Sequence, residues 1–171
     1  RSVSRGLGDV YKRQIISHKV SKTIQITQNG STNTAEEYHY QLPVIFHVFY
    51  KDANDPLQKV SSSRLSAILD KVNSLYKNKK NSVDMNLTFT LATTDKNGAT
   101  LPNPGVEYIQ WPESYPIDCD DFMNDESGKY VKYLWDPNSY INIMVYNFYS
   151  DPNFNFVTLG IAHIPFSTTG K

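Results

Sequence analysis

LPVIFHVFY, residues Leu42 to Tyr50, is the stretch that decides the fold. After Pro43 every residue is apolar or aromatic except His47. A strand with one wet face alternates polar and apolar residues. A continuous apolar run rich in β-branched and aromatic side chains predicts a strand buried on both faces, as in a parallel sheet covered on two sides. Pro43 belongs at the strand start, where its missing N–H costs no ladder bond. His47 lies inside the run, which predicts a core histidine satisfied by hydrogen bonds and not a metal ligand.

Downstream, Lys51 to Val60 carries Asp, Asn and Pro and predicts a loop. Ser61 to Lys80 is the clearest helix. Leu65, Ile68, Leu69, Val72, Leu75 and Tyr76 form one stripe at helical spacing, expected to pack on the sheet. Ser61 to Ser63 offer N-cap hydroxyls, and Lys77, Lys79 and Lys80 suit the negative end of the helix dipole. Met85 to Ala92 alternates, with Met85, Leu87, Phe89 and Leu91 on one face. Asp95 to Gly98 reads as a turn. Val106 to Trp111 reads as a short edge strand closed by Pro112. Asp118 to Trp135 mixes acids and aromatics, with helical character in its second half. Tyr140 to Tyr149 is a strand with Ile141, Ile143 and Val145 as its core. Leu159 to Phe166 follows a loop too short for a crossover, which predicts an antiparallel edge strand.

Upstream, Ile15 to Gln28 contains the alternating TIQITQ, a candidate strand, and Asn29 to Ala35 reads as a polar turn or linker. Arg1 to Gln14 has no hydrophobic period and resembles the translated adaptor peptide found at the ends of unrelated metagenomic reading frames. The expected organisation is a non-native segment at 1–14, an extension or linker at 15–41 and one domain at 42–171. The expected fold class is α/β: a mixed, mostly parallel sheet with an antiparallel edge strand, its first helix serving as a right-handed crossover.

The 171 residues carry no net charge, but 1–80 hold 13 Lys/Arg against 6 Asp/Glu while 81–171 hold 4 against 11. The basic excess sits in the adaptor-like segment and at the helix end, so it does not make the single basic face of a nucleic-acid binder. No apolar run approaches the roughly 20 residues of a membrane helix. Cys119 is the only cysteine, so no internal disulfide forms. It is either a buried thiol or the partner of a cysteine elsewhere.

Five segments in this order resemble the pappalysin branch of the metzincin zinc proteases. LPVIFHVFY is similar to the family's I-P-V-V-x-H-V-x-Y entry strand, and LSAILDKVNSLY to its first helix. MNLTFTLATTDKNG, WDPNSYINIMV and LGIAHIPF are similar to its I-x-F-x-L-A-x-x-D-P-x-G, W-D-P-x-x-Y-L-N-I-W-V and L-G-Y-A-x-F-P segments. The resemblance spans about Leu42 to Phe166. It implies a metzincin-like N-terminal subdomain and a zinc-dependent endopeptidase acting on peptide or protein substrates. It is nearest to the zinc-dependent metalloproteinase lipoproteins of gut Bacteroides-type bacteria. It also implies export to the cell envelope or exterior, with any membrane attachment through a lipid on an upstream cysteine. In the family the last segment forms the cleft rim to which extended substrate adds as a strand. The matching residues are Leu159, Gly160, Ile161, Ala162 and His163, against the plainer reading of an ordinary edge strand.

Zinc proteases need three protein ligands and a Glu as general base. The histidines are His18, His39, His47 and His163; no two lie four apart, and H-E-x-x-H is absent. No metal ligand and no catalytic residue is therefore assigned within the chain, and the zinc site is expected beyond Lys171. Without that helix, Phe46, Phe89, Ile143 and Val145 are expected to face water. The acids Asp118, Asp120, Asp121, Asp125 and Glu126 lack EF-hand spacing, because Phe122 occupies the fifth position, and read as caps and solvated surface. The competing function is a non-catalytic envelope binding or interaction domain.

Overall fold

The computed structural model describes residues 19–28, 31–77, 83–123, 128–149, 159, 160 and 162. One five-stranded sheet organises them. Its strands are β1 (Lys19–Gln28), β2 (Ser31–Tyr50), β3 (Leu87–Leu91), β4 (Val106–Gln110) and β5 (Ile141–Val145). Helix α1 (Ser62–Tyr76) joins β2 to β3. The short helix α2 (Cys119–Met123) and a 3₁₀ helix (Lys129–Tyr133) lie between β4 and β5.

β2 is the hub: every other strand pairs with it. β3, β4 and β5 run parallel to it and β1 antiparallel. β5 and β4 both pair with residues 46–48, so they take opposite flanks. β3 and β5 share Val44, which places β3 and β4 end to end on one flank. The α/β class and the α1 crossover between parallel strands are as expected. Within the extension, the strand expected in Ile15 to Gln28 is β1, while β2 begins at Ser31, inside the stretch read as polar turn or linker, and runs unbroken past Leu42, with Gln28 paired to Ser31. Asn29-Gly30 is the strongest short hairpin signal a sequence carries, and it outweighs the polar composition around it.

The two faces of β2 explain its unbroken apolar run. Val44, Phe46 and Val48 point to one side and join Leu65, Leu69 and Val106, with Phe89, Leu91, Ile141, Ile143 and Val145 packed around them. Ile45, His47 and Phe49 point to the other. There Phe49 meets Trp111, Phe122 and Tyr133 edge-on at 5.7, 5.1 and 4.9 Å, while Ile45 joins Ala92 and Trp135. One face is thus covered by a helix and the other by aromatic side chains from loops and short helices. Phe46 is buried, contrary to its expected exposure, because α1 already covers that face. Phe89, Ile143 and Val145 are half-buried.

α1 starts where expected. Ser61 is its N-cap, its Oγ accepting the Arg64 N–H at 3.3 Å. Val60 and Leu65 enter the same core cluster from hydrophobic-staple positions. The apolar stripe is narrower than predicted. Leu65 and Leu69 are buried, whereas Ile68 and Leu75 are exposed. The helix ends at Tyr76, with Lys77 extended, before the expected Lys80. Residues 78–80 lie outside the described residues.

Candidate functional site

In parallel α/β sheets, ligand sites form beyond the carboxyl ends of the strands. Here β4 runs directly into Trp111 and β5 into Tyr146. The two exits are stitched together. Ile117 donates its N–H to Asn147 O at 2.9 Å, and Tyr149 donates to Ile117 O at 2.8 Å. They enclose a cleft of about 330 Å³ lined by Trp111, Glu113, Ser114, Pro116, Ile117, Asp118, Asp121, Lys129 and Tyr149.

Trp111 in the cleft wall and Tyr115 beside it are both anchored by hydrogen bonds. Trp111 is buried and its indole N–H donates to Ser114 O at 3.2 Å. The Tyr115 hydroxyl donates to Phe49 O and accepts the Asn147 N–H, and burial pushes its phenol above the ordinary range. Asp118 caps α2 through the Asp121 N–H, as the capping interpretation of this acidic run predicts. Asp125 and Glu126 lie outside the described residues.

Lys129 Nζ donates to Asp121 Oδ2 at 2.6 Å and to Glu113 Oε2 at 2.5 Å. Those two carboxylates, Asp121 foremost, hold its ammonium well above the usual lysine range. Two carboxylates against one cation already leave the site net negative, and Asp118 adds to that charge. Cys119 Sγ lies 3.3 Å from the Tyr146 hydroxyl. Burial first, and then Cys119, push the Tyr146 phenol far up. The cleft's described lining suits a small polar or cationic group, and no nucleophile–base pair occurs among those described residues.

A polar node lies inside the sheet. His47 is fully buried. Its Nδ1 meets Glu107 Oε2 at 2.8 Å and its Nε2 meets Asn142 Oδ1 at 2.9 Å. The parallel register sets His47 beside Glu107. Hydrogen bonding from His47, more than any other neighbour, holds the Glu107 carboxyl below its ordinary range. Asn142 Nδ2 donates to Trp135 O and Tyr140 O, and the Trp135 N–H returns to Asn142 Oδ1. The node ties β2, β4, β5 and the Trp135 turn. His47 is a satisfied core histidine, as expected. Glu107 and Asn142 were missed, although each interrupts an apolar strand in VEYIQ and INIMV. A polar residue in a parallel-strand interior must find a partner.

Of the residues expected to bind substrate, Leu159, Gly160 and Ala162 are exposed and outside any strand. Gly160 has open space where a Cβ would stand, so nothing presses on it. Ile161 and His163 lie outside the described residues, as do Arg1 to Gln14. The described residues contain no group of three His, Cys, Asp or Glu able to hold a metal ion. Among them no helix is long and apolar enough to cross a membrane. Compared with protein-family models and with curated proteins, the chain matches none.

Proposed function

We propose that this chain is the N-terminal part of a secreted or lipid-anchored zinc metalloprotease of the metzincin type, whose reaction is peptide-bond hydrolysis. One observation carries the reading. Three of the segments that resemble the family are immediate neighbours: the LPVIFHVFY end of β2 is flanked by β3 from MNLTFTLA and by β5 from WDPNSYINIMV. All three run parallel, and the segment LSAILDKVNSLY forms the crossover helix between two of them. Segments scattered over about a hundred residues thus converge on one continuous sheet.

The WDPNS segment has a physical role that supports the same reading. Trp135 is buried against Tyr140 and His47. Asp136 accepts from the Asn138 N–H at 3.0 Å and from the Ser139 hydroxyl at 2.9 Å, bending the chain into β5. Those hydrogen bonds, Asn138 first, lower the Asp136 carboxyl below its ordinary range.

The described residues do not themselves fit a zinc site, so on this reading the ligands and the general base belong to sequence following Lys171. Zinc there would act as a Lewis acid and water activator. The part assigned to Leu159, Gly160, Ile161, Ala162 and His163 is to pair with extended substrate through backbone hydrogen bonds. The alternative, a non-catalytic envelope binding domain, draws on the carboxyl-edge cleft, whose described lining sets Trp111, Pro116 and Ile117 beside Glu113, Asp118, Asp121 and Lys129. Expression of the chain with its native downstream sequence separates the two. One zinc per chain with chelator-sensitive peptide cleavage supports the protease. A soluble, metal-free product without hydrolytic activity supports the binding domain.

A further inference from the structure

The node at His47 fixes the position of a proton. Asn142 Nδ2 faces two carbonyl oxygens, Trp135 O at 3.0 Å and Tyr140 O at 3.3 Å, so it must be the donor end of the amide. Asn142 Oδ1 then faces the Trp135 N–H and His47 Nε2. Turning the amide over would set oxygen against two oxygens and an NH₂ against an N–H. Because Oδ1 only accepts, Nε2 carries hydrogen. Turning the ring over would replace both bonded nitrogens by carbons. At the other nitrogen, Nδ1 lies 2.8 Å from Glu107 Oε2, a separation that requires a proton between them.

That proton belongs on nitrogen. Imidazole is a stronger base than a carboxylate, and Glu107, 40% exposed, keeps water at its other oxygen, which makes the carboxylate the acceptor. The charged groups at the node are Glu107 on β4 and Lys96 in the turn before β4, which acts on Glu107. β5 and the Trp135 turn present an amide, an indole and the phenol ring of Tyr140.

We infer that His47 is locked as a doubly donating imidazolium, and that this buried proton is the latch joining β2 to β4 and β5. Removing it, by transfer from Nδ1 to hydroxide or a buffer base, leaves a neutral ring with a lone pair directed at a carboxylate. Glu107 can then turn to water, but Nδ1 stays buried without a partner. The loss is felt at β4, which continues into Trp111 and the cleft wall. The pairing of that wall with β2 is therefore proton-linked.

Nitrogen-detected NMR of the His47 ring, paired with hydrogen exchange across a pH series, tests this. Exchange rates are corrected for base catalysis of the free amide. Reporters are the Trp111 N–H, bonded to Tyr50 O, and the Trp135 N–H, bonded to Asn142 Oδ1. The expected result is that both ring nitrogens are protonated while these amides are protected. Loss of the Nδ1 proton then raises corrected exchange by about tenfold or more. Glu107→Gln supplies an amide that donates to a neutral ring, so this variant should show a neutral His47 and no such coupling. A wild-type ring found neutral with both amides fully protected overturns the inference without reference to any variant. So does a Glu107→Gln protein with unchanged coupling.

Discussion

Asn73 of α1 grips the backbone of Phe89 on β3 from outside the sheet. Its Nδ2 donates to Phe89 O at 2.8 Å and its Oδ1 accepts the Phe89 N–H at 2.7 Å. The side-chain amide mimics a neighbouring strand for one residue. It satisfies the edge where an unpaired N–H and C=O would otherwise invite another chain. The same contact fixes α1 along β3, with Tyr76 edge-on to Phe89 at 5.2 Å.

Replacing Asn73 with Ala removes both bonds at a half-buried site. It is expected to cost about 1–2 kcal/mol in urea unfolding. Asn73→Asp keeps the acceptor but sets a carboxylate oxygen against Phe89 O, and should be no better than Ala. An Asp variant as stable as wild type would contradict the two-bond geometry.

Gly105 opens β4 at a φ of +69°, with its N–H on Ala92 O and its carbonyl accepting from Phe46. A Cβ there would stand 2.9 Å from Leu91 Cβ. Backbone strain and side-chain collision act together, so Gly105→Ala should cost about 1–3 kcal/mol. Thermal unfolding of the variant checks this, and a neutral result would mean that the junction of β3 and β4 can relax.

Two neighbours on α1 should respond oppositely to truncation. Leu69 is buried in the core, and Leu69→Ala should cost about 2–5 kcal/mol. Ile68 is exposed, and Ile68→Ser should change stability by less than about 0.5 kcal/mol. Chemical denaturation of both variants measures the difference. Equal losses would show that the stripe packs as a whole.

Glu107 sets an acid limit. Its folded carboxyl titrates below the ordinary glutamate value, first because of its hydrogen bond to His47. Its contribution is therefore fully present above about pH 4.3, the ordinary value. It is lost as pH falls through the lower folded value. Partial exposure keeps the effect modest. Glu107→Gln should lose less stability than wild type over the same acid interval, measured by urea unfolding at stepped pH. Parallel losses would place the acid sensitivity elsewhere.

Much of the sheet was legible because burial writes itself into β2. A strand covered on both sides has no polar alternation, and IFHVFY shows none. The half-covered β3 and β5 kept theirs. The narrower helix face was not legible, since Ile68 and Leu75 fit the helical period as well as Leu65 and Leu69 do. Only the curvature and position of the sheet decide which rows it reaches. The N-terminal hairpin was half legible: TIQITQ showed β1, but the polar run from Ser31 hid the start of β2, because a two-stranded ribbon needs no apolar run. The His47 node was half legible. His47 stood out, but its partners lie 60 and 95 residues away, and only the parallel register brings them together. The carboxyl-edge cleft depends on where loops return, which local pattern does not encode.

The most direct test of the proposed function is the zinc content and peptidase activity of the chain expressed together with its native downstream sequence. The expected result is one tightly bound zinc per molecule and cleavage of an unstructured protein substrate that a chelator abolishes and added zinc restores. A folded protein that binds no zinc and cleaves no peptide would contradict it.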